Sequence, residues 1–298
     1  MVIKIIQMVI YPIIAFIIGI FFMGLFRKII ARIHRRYGPP LLQPLIDIIR
    51  FFSQKGISHG SLFTLGMILS LAGSLVVLLF IPFGKICPLQ NSGGLLVVLY
   101  LLLFAPIGIA LSGGEAANPN ISIGISRKLI LALGYEVPFI LIILSVMVHY
   151  RTISFAEIVK LQQSDTWAIF KWPLVLPGIA YLLILPAMMG MRPFDVAMAP
   201  QEIASGPIIE YGGKYLALYH IEHAFSVFIT TAIFVDLFLG GGVNIGFFFV
   251  KMCVVFILVS FVNGIFPRYR IEQAVKYLWR WPALISFVGL ILVKISGR

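Results

Sequence analysis

The chain has 298 residues, of which 60% are hydrophobic and only 11% are charged, and its mean hydropathy is +1.05. No soluble fold covers that much apolar surface, so the composition excludes a soluble globular protein and predicts one integral membrane domain over residues 1–298. The net charge of +12 does not indicate nucleic-acid binding in a chain that is mostly buried in lipid. A bias of basic residues to one side of the membrane explains this charge better.

Apolar runs long enough to cross a bilayer recur along the whole chain. Crossing the hydrocarbon core takes roughly 20 residues in a helix, and the hydropathy pattern therefore predicts an all-α, polytopic membrane protein with about eight transmembrane helices. The predicted spans cover residues 5–26, 62–83, 95–113, 129–149, 173–190, 216–239, 244–265 and 281–296.

Basic residues orient the predicted bundle. The loop after the first span and the alternate loops that follow it carry 15 lysines and arginines, against seven on the other side. Because basic residues concentrate on the cytoplasmic side, the first set of loops is predicted to be cytoplasmic and both termini to face outward. Lys85 and Arg298 are among the seven outer residues.

Two segments outside the spans are predicted to form short helices. Leu41–Gly56 places Gln43 and Asp47 on one helical face and apolar residues elsewhere, a pattern typical of an amphipathic helix at the cytoplasmic membrane surface. On the outer side, Ser154 and Glu157 have the spacing of a capping box at the start of another short helix.

Glu136 lies deep within the fourth predicted span, in the stretch LILALGYEVPFILIILSVMV. A charge near the bilayer centre costs roughly 2.5–3.5 kcal/mol, and such groups usually face the bundle interior and mark an ion or proton path. Pro138 frees a backbone carbonyl and can bend the helix, which leaves room for water. We therefore expect Glu136 to exchange protons; the alternative is a neutral side chain that makes one interhelical hydrogen bond.

The stretch MRPFDVAMAPQEIASGPIIEYGG, over residues 191–213, gathers Asp195, Glu202 and Glu210 in a chain with only 11 acids. Its prolines prevent one continuous helix. The stretch is too apolar for a solvated surface loop, so we expect it to pack among the helices or beneath a partner. Two interpretations stay open from the residues alone: a buried functional loop, or a structural or partner-facing one.

Four other ionisable residues have two interpretations each. Glu115 is either the cytoplasmic mouth of a proton path or a plain surface acid. Glu222 and His223 open the sixth span and either belong to such a path or have a structural role. Asp236 is either an exit on the outer side or an interfacial acid, and the sequence favours the interfacial acid.

Chemistry by this chain alone is not expected. The sequence contains no nucleophile motif, no histidine spacing typical of a metal site and no nucleotide-binding glycine loop. Its two cysteines cannot hold an iron–sulfur cluster by themselves and do not indicate a disulfide framework. Any redox centre must therefore lie in a partner.

The acidic loop resembles the signature loop of a membrane subunit that is shared by respiratory complex I (its H subunit, the NADH dehydrogenase subunit 1 family) and the membrane-bound energy-converting [NiFe] hydrogenases. In that family the loop reads approximately P-F-D-x-x-E-A-x-x-E-x-x-x-G-x-x-x-E-Y-S. The matching residues are Pro193, Phe194, Asp195, Ala199, Glu202, Gly206, Glu210 and Tyr211.

Two further stretches resemble the same family, so that the likeness covers nearly the whole chain. RRYGPPLLQPLIDIIRFF is similar to its first cytoplasmic loop, and PRYRIEQAVKYLWRW is similar to its last. The matching residues are Arg36, Gly38, Pro39, Gln43 and Asp47 in the first stretch with Lys55 just after it, and Arg268, Arg270, Gln273, Trp279 and Arg280 in the second.

The hydrogenase branch is favoured within this family. NPNISIGISRKLILALGYEVPF is similar to the hydrogenase-type pattern N-P-x-x-G-x-x-x-S-R-E, and Pro40 and Phe26 replace residues usual in the quinone branch. Two departures put the detailed path in question. Met198 stands where the family has a loop glutamate, and Lys128 stands where an acid often follows Ser-Arg, which reverses a charge at the expected cytoplasmic surface.

The resemblance implies the membrane anchor and coupling subunit of a ferredoxin-dependent energy-converting hydrogenase in the plasma membrane of a prokaryote. The implied partners are peripheral hydrogenase-like large and small subunits, a ferredoxin-like cluster subunit and antiporter-like membrane subunits. Those partners would hold the [NiFe] centre and the iron–sulfur clusters, with no cofactor bound by this chain. Electron transfer in the peripheral arm would be coupled to proton or sodium translocation.

The resemblance also implies roles for two sets of side chains. The predicted proton-path or coupling residues are Glu136, Asp195, Glu202, Glu210, Glu115 and Tyr211. The predicted partner-docking residues are Arg36, Arg127, Arg268 and Arg270.

Three alternatives remain open at this point. A sister complex that reduces sulfur compounds would use the same membrane subunit. A complex I-type quinone-chamber subunit would need a lipid-accessible cavity near residues 26–36 and 202–211. A free-standing secondary transporter with Glu136 at its midplane is disfavoured, because the sequence has no internal repeat.

Overall fold

Thirteen α-helices account for nearly all regular structure in the computed structural model, which describes residues 2–57, 59–84, 86–89, 94–116 and 118–296. Within these ranges the only β-pairing is an isolated bridge between Phe83 and Ile86. The predicted all-α fold is confirmed.

The helices follow one another along the chain with mostly short connections. They are α1 (Val2–Ile33), α2 (Gln43–Ser53), α3 (Ser61–Phe80), α4 (Gly94–Leu101), α5 (Phe104–Gly114), α6 (Pro119–Tyr150), α7 (Phe155–Ser164), α8 (Val175–Met188), α9 (Pro200–Ile203), α10 (Lys214–Phe238), α11 (Ile245–Ile265), α12 (Ile271–Arg280) and α13 (Pro282–Ser296).

Seven helical segments of the described chain are long and apolar enough to cross a membrane, and α8 is a shorter apolar helix of 14 residues. Together they match the eight predicted spans and confirm a polytopic membrane protein. The third predicted span consists of two helices, α4 and α5, which form one apolar segment over Gly94–Gly114. Lys85 and Arg298 lie outside the described residues, and the side of the membrane that each loop faces stays a prediction.

The fourth span begins earlier than predicted. Helix α6 starts at Pro119, where the Asn118 side chain accepts a hydrogen bond of 3.0 Å from the Asn120 amide. An Asn cap followed by Pro at the first helical position is a strong start signal for a helix. The prediction that Arg127 and Lys128 lie in a loop is therefore wrong, and both residues are helical.

Helix α10 is the central helix of the bundle. In its most apolar 18-residue window, 83% of residues are buried inside the protein, against 28–50% for the other candidate spans. It contacts α1, α2, α3, α7, α8 and α11. Because α10 is surrounded by protein rather than by lipid, it can carry polar side chains along its length.

Both predicted surface helices are present. Helix α2 buries Pro44 and Ile48, whereas Ile46 and Ile49 are exposed, as an amphipathic helix at a membrane surface requires. Helix α7 begins after Ser154, but the predicted capping box is wrong, because Ser154 makes no side-chain capping bond. The Glu157 carboxylate instead accepts a hydrogen bond from the hydroxyl of a nearby threonine, Thr152.

Glycines bring α3 and α5 into close contact. A Cβ atom added at Gly108 would lie 2.5 Å from the Ser70 amide nitrogen and 2.6 Å from the Gly66 carbonyl oxygen. Small residues at such crossings let helix backbones approach closely, which is how membrane helices gain packing energy without a hydrophobic driving force.

Replacement of Gly108 by alanine is expected to force α3 and α5 apart. Overpacking of this kind costs about 1–3 kcal/mol. The measurement is the thermal unfolding midpoint of the purified protein in detergent, which should fall. Gly114→Ala on the same helix is the matched control, because nothing lies within 4 Å of the position its Cβ would take. Equal midpoints for the two variants would contradict the close-contact interpretation.

Candidate functional site

The acidic loop, residues 191–213, folds into the bundle between α8 and α10. Its apolar side chains are buried, with Phe194 and Val196 each only 2% exposed and Tyr211 5% exposed. The prediction that this loop packs among the helices is confirmed. Its prolines limit regular structure to the single turn α9 and a 3-10 turn at Gly206–Ile208.

A glycine on α6 lets the loop approach. A Cβ atom at Gly124 would lie 2.6 Å from the Pro207 Cδ atom and 2.8 Å from the Gly206 Cα atom. Any larger residue at Gly124 would therefore displace this turn of the loop. The loop is thus seated directly on the helix that carries Glu136.

Asp195 forms the most enclosed ion pair of the loop. Its Oδ2 atom lies 2.7 Å from the Arg268 Nη2 atom, and the two side chains are 21% and 13% exposed. Arg268 also donates to the Gln201 side chain at 3.2 Å. Burial raises the pKa of Asp195, and the hydrogen bond and charge of Arg268, together with the charge of Arg192, offset only part of this increase.

The other two loop acids pair with different segments of the chain. Glu202 accepts a hydrogen bond of 2.7 Å from Arg127 on α6, and its side chain is 53% exposed. Glu210 lies 2.8 Å from the His59 Nε2 atom, in the connection between α2 and α3. The three loop acids therefore attach the loop to three separate parts of the fold.

Tyr211 and Glu115 have contacts of the kind that stabilise the fold. Burial raises the pKa of Tyr211 to about 12, so the phenol stays protonated at neutral pH; its hydroxyl lies near that of Ser112 but without hydrogen-bond geometry. The Glu115 carboxylate accepts a hydrogen bond from the Phe63 amide in the first turn of α3. A carboxylate is favoured at that helix end by the unpaired amides and the helix dipole.

A cavity of about 600 Å³ lies between the loop and helices α1, α6 and α10. Of the predicted coupling residues, Glu136 and Asp195 line it. Glu136 therefore faces the bundle interior, as expected for an acid within a span. The cavity brings Glu136, within the fourth span, and Asp195, the first loop acid, to one space, although they are far apart in sequence.

Four charged residues of this cavity, Arg27, Lys128, Arg192 and Glu222, were not among the predicted site residues. Glu222 on α10 is only 4% exposed, lines the cavity and accepts a hydrogen bond of 3.4 Å from the Ser74 hydroxyl. Lys128 on α6 also lines the cavity and interacts electrostatically with Glu222. The prediction that Lys128 reverses a charge at the cytoplasmic surface is therefore wrong, because the helical face that carries it points inward.

The fixed charges around the cavity are balanced. Its lining includes three acids and three lysines or arginines, together with two histidines, His220 and His223. The charged members are Glu136, Asp195, Glu222, Arg27, Lys128 and Arg192. A balanced set of this kind favours protons and water over a ligand with high net charge, and it can move charge by small changes in protonation or pairing.

Met198, which stands where the related family has a glutamate, also lines the cavity. The Tyr219 hydroxyl contacts its sulfur atom at 3.9 Å. A thioether cannot carry a proton, so any path through this part of the cavity depends on the acids of α6 and α10 rather than on the loop position of Met198.

Arg27, which lines the cavity, is held in an ion pair between two helices. Arg27 on α1 lines the cavity and donates to the Asp47 carboxylate on α2 at 2.8 Å, and Gln43 donates to the same carboxylate at 3.0 Å. Burial raises the pKa of Asp47, but the hydrogen bonds from Arg27 and Gln43 and the Arg27 charge outweigh it, so the pKa lies below its ordinary value.

The four predicted docking arginines divide into two pairs. Arg127 and Arg268 are bound to Glu202 and Asp195, so they hold the loop in place. Arg36 and Arg270 are exposed. Their role in docking a partner stays a prediction.

Comparison with known proteins gives the same family from independent information. A family model described as NADH dehydrogenase matches residues 4–294. The chain is 27% identical over 298 residues to the H subunit of NADH-quinone oxidoreductase from Neisseria meningitidis serogroup C, and the match covers 90% of this chain and 83% of that protein. It is 29% identical over 291 residues to the same subunit from Protochlamydia amoebophila, with 89% of each chain covered.

Among solved structures, the chain is similar to one chain of the membrane-bound sulfane sulfur reductase, which is described as an archaeal respiratory membrane complex. The identity is 40% and the TM-score 0.94, and the match covers 97% of this chain and 99% of that chain. The family model spans nearly the whole sequence, and the folds agree over almost their full length. The chain is therefore a membrane protein of the NADH dehydrogenase family, of the type represented by the H subunit of complex I.

Proposed function

We propose that this chain is the membrane coupling subunit of a respiratory-type complex that reduces sulfane sulfur. A 40% identity over 97% of the chain to a subunit of such a complex supports this acceptor over quinone, because identity to the quinone-linked relatives is 26–29%. In this proposal a peripheral redox arm sits over the acidic loop, and antiporter-like neighbours in the membrane move protons or sodium ions.

The observation that carries the coupling role is the partly buried Asp195–Arg268 pair, whose carboxylate lines the cavity. A unit charge that appears about 10 Å away changes the energy of a carboxylate by roughly 1.7 kcal/mol at an effective dielectric constant of 20. That is about one pKa unit. A redox change above the loop therefore alters the protonation or pairing of Asp195, and the change reaches Glu136 and Glu222 through the shared cavity.

Two specific observations favour other acceptors. The stretch beginning at Asn118 is similar to the hydrogenase-type pattern, which supports an energy-converting hydrogenase that reduces protons. The cavity between α1 and the loop, at about 600 Å³, has room for a quinone head group, as a complex I-type quinone chamber requires. The membrane subunit would have the same coupling role in all three complexes.

The acceptor is tested by gentle purification of the tagged complex from its native host. With reduced ferredoxin as donor, we expect polysulfide-dependent sulfide formation and no nickel by elemental analysis. Hydrogen evolution together with nickel would replace the proposal by the hydrogenase, and reduction of a quinone analogue would replace it by the quinone-linked complex. Purification without any redox partner would contradict all three.

Replacement of Glu136 by glutamine is expected to leave assembly intact and to abolish ion pumping. Glutamine keeps the size and hydrogen-bonding groups of the side chain but cannot exchange a proton. The measurement is substrate-driven ion uptake in proteoliposomes, which should fall to the level seen without substrate. Glu272→Gln, at an exposed position in the first turn of α12, is the matched control. Wild-type pumping by the Glu136 variant would remove this residue from the mechanism.

Replacement of Arg268 by glutamine is expected to change the pH dependence of coupled turnover. The Arg268 guanidinium lowers the pKa of Asp195 against the effect of burial, so its removal raises that pKa. The ionised carboxylate is then lost at a higher pH, and the acidic limb of the pH–rate profile should move to higher pH.

Two controls separate this effect from a docking defect. Lys276→Gln neutralises an exposed basic residue on the neighbouring helix α12 and should leave the profile unchanged. In an Asp195→Asn background, Arg268→Gln should produce no further movement of the limb, because the responsible carboxyl group is absent. A persistent movement in that background would assign the limb to another group.

A further inference from the structure

A second buried charge cluster lies at the end of α10 that is opposite the acidic loop. Asp236 is only 1% exposed, and neither of its carboxylate oxygens has a hydrogen-bond partner in the described parts of the chain. Asp236 does not line the cavity; Thr230, the last residue of α10 that does, precedes it by six residues, or roughly 9 Å along the helix axis at 1.5 Å per residue. The carboxyl group is enclosed by protein rather than exposed at its surface, and its depth in the membrane stays a prediction.

The positive charge that interacts with Asp236, the Lys251 ammonium group, is bound by other groups. The Lys251 Nζ atom on α11 donates to the Leu239 carbonyl at 2.5 Å and to the Gly241 carbonyl at 2.7 Å. It also lies 4.2 Å from the centre of the Trp167 ring and 4.6 Å from that of Phe247. Lys251 interacts electrostatically with Asp236, but the described residues contain no ion pair between them within 4.0 Å.

The loop after α10 wraps around the carboxyl group. Gly241 has φ +56°, a conformation that favours glycine, and a Cβ atom there would lie 2.9 Å from the Asp236 Oδ1 atom and 2.8 Å from the Val159 Cγ1 atom. Gln162 on α7 donates to the backbone carbonyls of Asp236 and Leu237 at 3.0 Å each. The same short loop thus contacts the acid and supplies a carbonyl that binds the lysine.

Among the described residues, none donates a hydrogen bond to the Asp236 carboxyl group as the structure stands. The titratable groups that interact with it among the described residues are Lys251 on α11, Tyr11 on α1 and Cys87 in the connection after α3. The Tyr11 hydroxyl donates to the Ile81 carbonyl at 3.0 Å instead. An isolated carboxylate in such surroundings costs several kcal/mol, so the neutral acid is favoured unless the ammonium group moves.

We propose that Asp236 is a proton-binding site and that Lys251 moves with its occupancy. With Asp236 protonated, the ammonium group binds the carbonyls of Leu239 and Gly241, as observed. When the proton leaves to water, the ammonium group, still charged, binds the new carboxylate. The net charge of the cluster falls by one, and only the proton is exchanged. The proton-binding site itself does not depend on the proposed function. Only a role for this proton in coupled ion movement rests on it.

The test is a pH titration of the resting, intact complex by infrared difference spectroscopy. The wild type should lose the carbonyl stretch of a protonated carboxyl group as the pH rises, and Asp236→Asn should lack that change. Lys251→Met should keep the band to a higher pH than the wild type, because the cation that stabilises the carboxylate is gone. Lys251→Arg, which retains a cation, should titrate close to the wild type. A lysine without electrostatic influence on Asp236 would not move this midpoint.

Two outcomes would overturn the proposal: the same carboxyl band in Asp236→Asn as in the wild type, or an unchanged midpoint in Lys251→Met. If the asparagine variant does not assemble, the methionine titration decides alone. The spectra involve no turnover, so they are independent of the proposed coupling function. Wild-type ion pumping by Asp236→Asn would show that the proton bound at Asp236 takes no part in pumping. A failed acceptor assay would contradict the proposed function but not the proton-binding site.

Discussion

Polar groups that face lipid carry a large energetic cost, and in this chain that constraint decides where α10 lies. Glu222, His223 and Asp236 all belong to α10, and the helix is enclosed by its neighbours rather than by the bilayer. The more apolar helices surround it and face outward. The enclosed helix then supplies one wall of the cavity near one end and a buried acid near the other. Both charge clusters therefore result from the burial of α10 among its neighbours.

The acidic loop is subject to the same energetic cost of unpaired polar groups, and ion pairs offset it. Its apolar residues are buried, and its three acids pair with Arg268, Arg127 and His59 from three different segments. A buried irregular segment is tolerated only where the protein satisfies its polar groups. The pairs therefore fix the loop and, at Asp195, place an ionisable group at the cavity edge.

Hydropathy and motif spacing were sufficient to predict the spans, the buried loop, the family and the amphipathic α2. They failed where a side chain's direction depends on tertiary packing. Lys128 is the second residue of a basic pair that the sequence places in a loop, yet its helical face points into the cavity. Glu115 caps α3 although Phe63 is remote in sequence. The role of Glu222 stayed open because an acid near the start of a span resembles an interfacial one. Hydropathy did not decide it, since α10 and the last candidate span share a value of 1.6 but are 83% and 28% buried.

The Arg27–Asp47 pair has a consequence for how α2 is held against α1. Arg27 lines the cavity, and its ion pair with Asp47 joins the two helices by an electrostatic contact in addition to apolar packing. Both side chains are partly exposed, at 36% and 21%, so high salt weakens this contact by screening. Acid does not weaken it as readily, because the pKa of Asp47 lies below its ordinary value and the carboxylate keeps its charge in mildly acidic surroundings. The contact between α1 and α2 is thus more robust to acidification than to salinity.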